Sequence, residues 1–279
     1  MEPSSIAENL YFTTVKVETT DATGKNSLGT SFIFNYNVEK KNYLFLVTNK
    51  HVVSNAVNGS FLFTQASDNK PIIGKSFKID IEGNFGEIWF GHPNPNVDVA
   101  ITPLVPIIEE IKKKKVDVFF RSISRDFVPS VEVLHKLDAI EEIVFIGYPS
   151  GIWDTTNLLP IARKGITASP IFLNFKGEPQ FLIDASVFPG SSGSPVFLYN
   201  AGFYHDKKGG TIVGSRVYLL GIVAEVFCSL DLNEIIFFSD DVHRVPLAKS
   251  KQMIDLGIVY KSSTVVEAIE IFLHKHGQP

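Results

Sequence analysis

Most of the chain either alternates apolar and polar residues with a period of two or holds short apolar runs. Such segments, separated by clusters of Gly, Asn, Asp, Ser and Pro, are typical of β-strands joined by turns. The pattern predicts strands near 10–18, 28–36, 42–48, 60–64, 74–81, 86–90, 97–103, 142–147, 161–168, 180–185, 194–199, 217–226, 234–239 and 255–260. Many short strands in close succession predict an all-β fold, either a barrel or a sandwich.

Two segments show a helical pattern instead. Residues 104–115 place acidic residues before lysines at a spacing that stabilises a helix. Near the end of the chain, at 263–276, Thr264 and Glu267 form a capping-box pattern. The apolar residues after Ser263 that share one helical face are Val265, Ala268, Ile269 and Phe272. The sequence therefore predicts a C-terminal amphipathic helix that packs on the body of the protein.

The composition is that of an ordinary globular protein: 279 residues, 44% hydrophobic and 20% charged. The net charge of −4 is too small to provide an electrostatic platform for nucleic acid. The single cysteine excludes an intrachain disulfide and a cysteine-based zinc site, and it favours a reducing compartment. The first residues lack the basic and apolar regions of a signal peptide, and no apolar run is long enough to cross a bilayer. We therefore expect a cytoplasmic protein that binds neither nucleic acid nor membrane.

Three short segments carry the residue types of a hydrolytic site. In LFLVTNKHVVS an apolar strand ends just before His51, and in NPNVDVAITPL an apolar strand opens at Asp98. In DASVFPGSSGSPVF a loop of small residues around Ser192 leads into a strand. Each segment alone is common, because such histidines, aspartates and Gly-Ser loops mostly have structural roles. Their combination in one chain points to nucleophilic catalysis.

Catalysis by a serine hydroxyl needs two further side chains and two backbone donors. An imidazole within about 3 Å removes the hydroxyl proton, and a carboxylate fixes the tautomer of the imidazole and stabilises its charged form. Backbone N–H groups stabilise the oxyanion, and a glycine is suited to this because it has no side chain to obstruct its N–H. We therefore assign Ser192 as the nucleophile, His51 as the base, Asp98 as the orienting acid, and the N–H groups of Gly190 and Ser192 as the oxyanion hole.

The order His, Asp, Ser along the chain resembles that of the chymotrypsin/trypsin-like serine protease family. TNKHVV resembles the family's T-A-x-H segment, VDVAI its D-I-A-L segment and PGSSGSPV its G-x-S-G-G-P-V segment. Together with LGTSFIF, IGYPSGIWDTTNLLPIARKGITAS and LLGIVAEVF, these segments extend the resemblance from about residue 28 to residue 260. Within the family, the chain is most similar to bacterial-type, disulfide-free peptidases related to the HtrA group, without a PDZ domain.

The resemblance implies a single peptidase domain over residues 1–279, built from two antiparallel six-stranded β-barrels and a C-terminal helix. The N-terminal barrel is expected at about 8–104, a connecting segment at 105–118, the C-terminal barrel at 119–262 and the helix at 263–276. The implied activity is that of a serine endopeptidase, with its site in the cleft between the barrels and an acyl-enzyme intermediate. Neither a metal nor an organic cofactor is implied.

The resemblance also indicates how a protein or peptide substrate binds. The expected substrate-binding residues are Ser186, Val187, Ala224, Glu225 and Val226. The strand that holds the last three is expected to pair with an extended peptide. Ser186, six residues before the nucleophile, stands where relatives that cleave after Lys or Arg carry an acid. Because a neutral residue cannot offset the cost of desolvating a cation, we expect an apolar or small P1 residue, unless Asp184 or Glu225 turns into the pocket.

The chain departs from the family pattern at three places. Ser191 replaces the usual acid just before the nucleophile, Ser194 replaces a glycine after it, and the N-terminus has no I-V-G-G motif. In digestive relatives a freed amino terminus pairs with that acid and orders the oxyanion loop, and Ser191 offers no charge for such a pair. The N-terminus is therefore expected to have no part in activation. Residues 188–192 are then ordered either by intrinsic packing or by a regulatory protein or ligand that relieves a latent state.

Two other classes of protein are weighed against the protease. An α/β-hydrolase would need the order Ser, Asp, His, which Ser192, Asp240 and His243 provide, but Ser194 stands where its nucleophile elbow needs glycine. A catalytically silent peptide-binding module on the same fold is the other alternative, and the presence of all three triad residues argues against it. The remaining histidines show no metal-ligand spacing.

Overall fold

Strands dominate the structure, as the alternation of apolar and polar residues predicts. The computed structural model describes residues 2–38, 41–149, 152–234 and 247–277, with the backbone alone described for 225–234 and 247–254. The predicted strand at 234–239 falls almost entirely outside these ranges. No helix within them is long and apolar enough to cross a membrane.

The strands are β1 (Thr14–Asp21), β2 (Asn26–Val38), β3 (Lys41–Thr48), β4 (Ala56–Ser67), β5 (Lys70–Ile81), β6 (Phe90–Gly91), β7 (Ala100–Pro103), β8 (Val118–Phe119), β9 (Ile123–Ser124), β10 (Glu142–Gly147), β11 (Ile161–Thr167), β12 (Gln180–Asp184), β13 (Pro195–Asn200), β14 (Phe203–His205), β15 (Thr211–Val213), β16 (Arg216–Glu234) and β17 (Leu247–Lys261). The α-helices are α1 (Ile6–Leu10), α2 (Lys50–Val53), α3 (Val105–Lys113), α4 (Val131–Lys136) and α5 (Ser262–Lys275). The short helices α1, α2 and α4 have no counterpart in the sequence prediction.

The N-terminal half forms a nine-stranded sheet rather than the predicted closed six-stranded barrel. Its order is β5-β4-β1-β2-β3-β7-β6, with β8 added to β4 and β9 added to β2 in parallel. The barrel does not close because the strand predicted at 86–90 is mostly a 3₁₀ turn, Phe85–Ile88, whose first residue is buried against Phe61. Only two residues of β6 follow it. Strands β8 and β9 bring into this sheet residues from the end of the predicted connecting segment, 105–118, and from beyond it.

The C-terminal half closes into the predicted six-stranded antiparallel barrel, in the order β10-β11-β12-β17-β16-β13. Strands β14 and β15 form a separate hairpin outside it. Strands β16 and β17 run beyond the barrel as a two-stranded ribbon that stays paired as far as Glu234 and Leu247. The β16 strand therefore reaches past the barrel wall on the side where its pairing with β13 has ended.

Helix α5 packs on the body of the protein, as the C-terminal amphipathic pattern predicts, and it joins the two halves. Val265, Ala268 and Ile269 are fully buried in a core cluster that takes residues from both halves, among them Phe45 and Phe197. Burial of each of the two large aliphatic side chains contributes about 1.5–3 kcal/mol. The predicted capping box is wrong: the helix begins at Ser262, and the Thr264 hydroxyl donates a hydrogen bond to the Lys261 carbonyl.

Candidate active site

His51 and Asp98 lie side by side because each is next to one of two neighbouring strands of the N-terminal sheet, His51 after β3 and Asp98 before β7. Strands β3 and β7 pair antiparallel with Thr48 opposite Ala100, so the residues just after β3 lie beside those just before β7. His51 is in α2, which follows β3, and Asp98 stands between Val97 and Val99, both buried in the core. Burial of both neighbours fixes the backbone at Asp98.

Three hydrogen bonds join the two segments. Asp98 Oδ2 lies 2.5 Å from His51 Nδ1, and Asp98 Oδ1 accepts the backbone N–H of His51 at 3.1 Å. The side chain of Asn49, which is fully buried, donates to the Asp98 carbonyl at 2.6 Å. With Nδ1–H donating to the carboxylate, the other ring nitrogen, Nε2, is the one available to take up a proton.

Ser192 lies in the loop before β13, with its hydroxyl turned toward β16. Its Oγ donates to the Ala224 carbonyl at 3.0 Å, and its own carbonyl accepts the N–H of Thr30 at 2.9 Å. Within the described ranges, no hydrogen bond joins Ser192 to His51. Rotation about the Cα–Cβ bond carries a serine hydroxyl between staggered positions, so Oγ can leave Ala224 without a backbone change.

Backbone hydrogen bonding leaves two N–H groups of the loop available. In the segment 188–194 the N–H groups of Phe188, Ser191, Gly193 and Ser194 all donate within the protein. Those of Gly190 and Ser192 donate to no residue that the structure describes, and Pro189 has no N–H. Gly190 has φ +85°, a backbone conformation that favours glycine. The two N–H groups left over are those predicted to form the oxyanion hole.

Thr30, on β2, anchors this loop from the other half of the molecule, and it was not among the predicted site residues. Its N–H donates to the Ser192 carbonyl, and its Oγ1 donates to the Gly190 carbonyl at 3.0 Å and accepts the N–H of Tyr148 at 2.9 Å. Its own carbonyl accepts the Thr48 hydroxyl at 2.7 Å. The signal in the sequence is a polar residue inside the apolar strand LGTSFIF.

A cleft of about 300 Å³ lies between the two halves, lined by His51, Asp98, Ala224, Ile258 and Tyr260. Tyr260 was not among the predicted site residues. Its hydroxyl donates a hydrogen bond at 2.7 Å to the carbonyl of Asn96, which lies two residues before Asp98. A larger groove, of about 660 Å³, lies on the N-terminal sheet and is lined by none of the triad residues. Its cations Lys16 and Lys78 are already paired with Glu18.

The structure places the predicted substrate-binding residues in different surroundings. Ala224 lines the cleft, and Ser186 has an exposed side chain. The Val187 side chain is 1% exposed and packs in the core of the barrel, on the opposite side of the chain from its neighbours, and its place in substrate binding stays a prediction. Glu225 and Val226 lie on β16 as expected, but their side chains fall outside the described part.

The described residues include no group of three or more His, Cys, Asp or Glu side chains that is placed to hold a metal ion.

Gly193 packs so closely against β2 that it provides a test of the loop's position. A Cβ there would overlap the Thr30 carbonyl oxygen and lie 2.6 Å from Thr48 Oγ1. Because φ is also +89°, we expect Gly193→Ala to lower the free energy of unfolding by about 3 kcal/mol or more. Gly202→Ala is the matched control, since Gly202 has the same φ with open space around it, and should cost about 1–2 kcal/mol. If urea unfolding shows the same loss of unfolding free energy for Gly193→Ala and Gly202→Ala, the close packing of Gly193 against β2 is contradicted.

Comparison with known families identifies the class of protein. The family model described as "Trypsin-like peptidase domain" matches residues 29–203, which include His51, Asp98 and Ser192. The chain belongs to this family. No curated protein matches the sequence significantly.

Solved structures match the chain at low sequence identity and with TM-scores below 0.5. The active form of the Rv3671c protease from M. tuberculosis is 18% identical, with 96% of this chain and 86% of that chain covered and a TM-score of 0.45. HL collagenase is 14% identical, with coverage of 97% and 96% and a TM-score of 0.49. A scabies mite inactivated protease paralogue is 14% identical, with coverage of 96% and 98% and a TM-score of 0.44.

Proposed function

We propose that this protein is a serine endopeptidase whose triad is His51, Asp98 and Ser192. Ser192 Oγ attacks the scissile carbonyl while its proton passes to His51 Nε2, and the oxyanion accepts hydrogen bonds from the Gly190 and Ser192 N–H groups. The C–N bond then breaks, His51 gives the proton to the leaving amine, and water repeats the sequence to release the acid. The observation that carries the proposal is the pair of hydrogen bonds by which one carboxylate, that of Asp98, holds both the backbone and the ring of His51.

The edge of β16 supports an extended peptide as substrate. Pairing of β13 with β16 ends at Pro195 opposite Ile222. The last backbone bonds across this edge are at Val223, whose N–H donates to the Ser194 carbonyl and whose carbonyl accepts the Gly193 N–H. Beyond it β16 pairs with β17 on one side only, within the residues described. A sheet edge of this kind can accept one more strand. When the Ser192 hydroxyl leaves the Ala224 carbonyl, that acceptor becomes available to the peptide as well.

Peptide cleavage by the full chain tests this function. The protein is incubated with a proteome-derived peptide library, and new termini are identified by mass spectrometry. New termini that are absent with the Ser192→Ala variant support a serine endopeptidase. Equal products from both proteins would mean that Ser192 is not the nucleophile.

A silent peptide-binding module is the second candidate, and the observation in its favour is that the Ser192 hydroxyl bonds to Ala224 rather than to His51. A silent module and an endopeptidase predict different results with the same peptides. A silent module binds library peptides with the same affinity before and after Ser192→Ala and leaves them intact, whereas an endopeptidase depletes them.

The same cleavage profile tests P1 preference. Ser186 is neutral, and its carbonyl accepts a hydrogen bond from the Arg163 guanidinium, so positive charge already lies beside the expected pocket base. We expect apolar or small P1 residues to be favoured over Lys and Arg by at least about tenfold in kcat/KM, because a cation would lose its hydration and meet a like charge. A profile dominated by Lys or Arg at P1 would show this view of the pocket to be wrong.

The cysteine content supports a proposal about the compartment in which the protein acts. With one cysteine in the whole sequence, the protein needs no oxidising compartment, and we propose that it acts in the cytoplasm on protein or peptide substrates.

A further inference from the structure

Arg163, on β11, contacts the oxyanion loop at two points. Its Nη1 donates to the Ser186 carbonyl at 2.7 Å, and its Nη2 donates to Ser191 Oγ at 2.6 Å. The guanidinium lies 4.4 Å from the centre of the Phe145 ring and 5.9 Å from that of Phe188. One side chain thus ties together both ends of the segment from Ser186 to Ser191.

Among the described residues, no carboxylate forms an ion pair with Arg163. Its Nε is buried and has no hydrogen-bond partner within the same residues. Burial lowers the pKa of Arg163 to about 10, so the group stays charged at neutral pH. Because burying an unpaired cation is unfavourable, the two charge-assisted bonds to the loop are the interactions that hold it there.

The bond to Ser191 acts directly on the geometry of the loop. Ser191 is fully buried, and its Oγ also accepts the N–H of Phe188 at 3.3 Å, while its own N–H donates to the Phe188 carbonyl at 3.0 Å. These bonds close a tight turn over Pro189 and Gly190. Thr30 holds the Gly190 carbonyl from the opposite side. The peptide that carries the Gly190 N–H is therefore fixed between two anchors, one from each half of the molecule.

We propose that Arg163 is the positioning residue that orders the oxyanion loop, so that the enzyme is active without N-terminal cleavage and without an external ligand. This proposal rests on the proposed endopeptidase function, because it assigns the means by which that site is preformed. Arg163 acts through Ser191 and touches no reacting atom.

Substitution of Arg163 separates positioning from binding. Arg163→Met keeps an unbranched apolar stem and removes every donor, and we expect kcat to fall by about 10², as when one oxyanion donor is lost, with KM nearly unchanged. Lys164→Met is the matched control on the same strand, since Lys164 is exposed and paired with Glu142, and its activity should stay within about twofold. Ser191→Ala, which removes the acceptor and leaves the cation, should also lower kcat. If kcat in both loop variants equals that of the wild type, the proposal is overturned.

A carboxylate at residue 191 tests the contact between the two side chains. Ser191→Asp gives Arg163 an ion-pair partner, and we expect its activity to stay near that of the wild type. In the Arg163→Met background the same carboxylate is buried without a partner, and the double variant should lose at least about tenfold more than the product of the single effects. If the loss of activity in the double variant equals the product of the two single losses, Arg163 does not act through Ser191.

Hydrogen–deuterium exchange keeps this proposal separate from the proposed function. In Arg163→Met we expect amide exchange in residues 186–194 to rise by about tenfold or more, with no change in Lys164→Met. If the wild-type protein cleaves no peptide but its loop loosens in Arg163→Met, the endopeptidase function fails while the role of Arg163 in ordering the loop stands. Unchanged exchange overturns that role. A gain in activity of more than about tenfold on removing residues 1–8 would also overturn the proposal, because it would reveal N-terminal activation.

Discussion

Ser192→Ala and His51→Ala are each expected to lower turnover by about 10³ to 10⁶, with the double variant hardly worse than either single one. The nucleophile is lost in one variant and the proton acceptor in the other, and neither group works without its partner. The residual rate reflects the oxyanion donors and substrate binding, which both variants keep. Steady-state hydrolysis of a peptide identified from the cleavage profile measures all three variants.

Ser194→Ala is the matched control for this series. Ser194 lies two residues from the nucleophile, is fully buried, and has a hydroxyl that makes no hydrogen bond among the described residues. Removing an unsatisfied buried hydroxyl should leave activity within about threefold and should not destabilise the fold. Activity that survives in Ser192→Ala, or is lost to the same extent in Ser194→Ala, would mean that the nucleophile has been misassigned.

Asp98→Asn is expected to lower kcat by about 10⁴ while leaving the fold intact. Both carboxyl oxygens of Asp98 are used, one by the ring and one by the backbone N–H of His51. An amide keeps a single acceptor, and its NH₂ group facing Nδ1 selects the tautomer with a proton on Nε2. That tautomer cannot accept the serine proton.

The measurement is kcat together with the urea midpoint for wild type, Asp98→Asn and the control Asp80→Asn, an acidic residue on the outer strand β5 that is largely exposed. We expect the control to match the wild type in kcat. A fall of less than about tenfold in Asp98→Asn, without loss of stability in either variant, would show that Asp98 does not set the tautomer.

Local sequence was enough to predict most of the strands, because each strand depends on residues close together in the chain. It also pointed to the three short segments that hold His51, Asp98 and Ser192. Strand β10 occupies the predicted residues 142–147, and β11, β12 and β13 begin or end within one residue of their predicted bounds. The buried face of α5 also follows from a period of 3.6 residues alone.

Features that depend on contacts between distant residues could not be predicted. Closure of the N-terminal barrel fails at a 3₁₀ turn whose apolar residues look like a strand in sequence. The Thr30 hydroxyl reaches a carbonyl 160 residues away, and Arg163 reaches Ser191 across 28 residues. Thr30 stands out only as a polar residue inside an apolar strand, and nothing in the sequence near Thr30 or Arg163 identifies the distant partner. A threonine or an arginine inside a strand is usually solvated or packed for other reasons. The burial of Val187 could not be predicted either, because the resemblance gives its position in the loop but not the side to which its side chain points.

Labelling of the full-length protein with a fluorophosphonate probe, read by intact-mass and peptide mass spectrometry, tests the central claim most directly. Such a probe reacts with a serine only where a base activates it beside an oxyanion hole. The geometry predicts one adduct per chain on Ser192 in the wild type and in Ser194→Ala, and none in Ser192→Ala or His51→Ala. An unlabelled wild type, or an adduct at any residue other than Ser192, would contradict it.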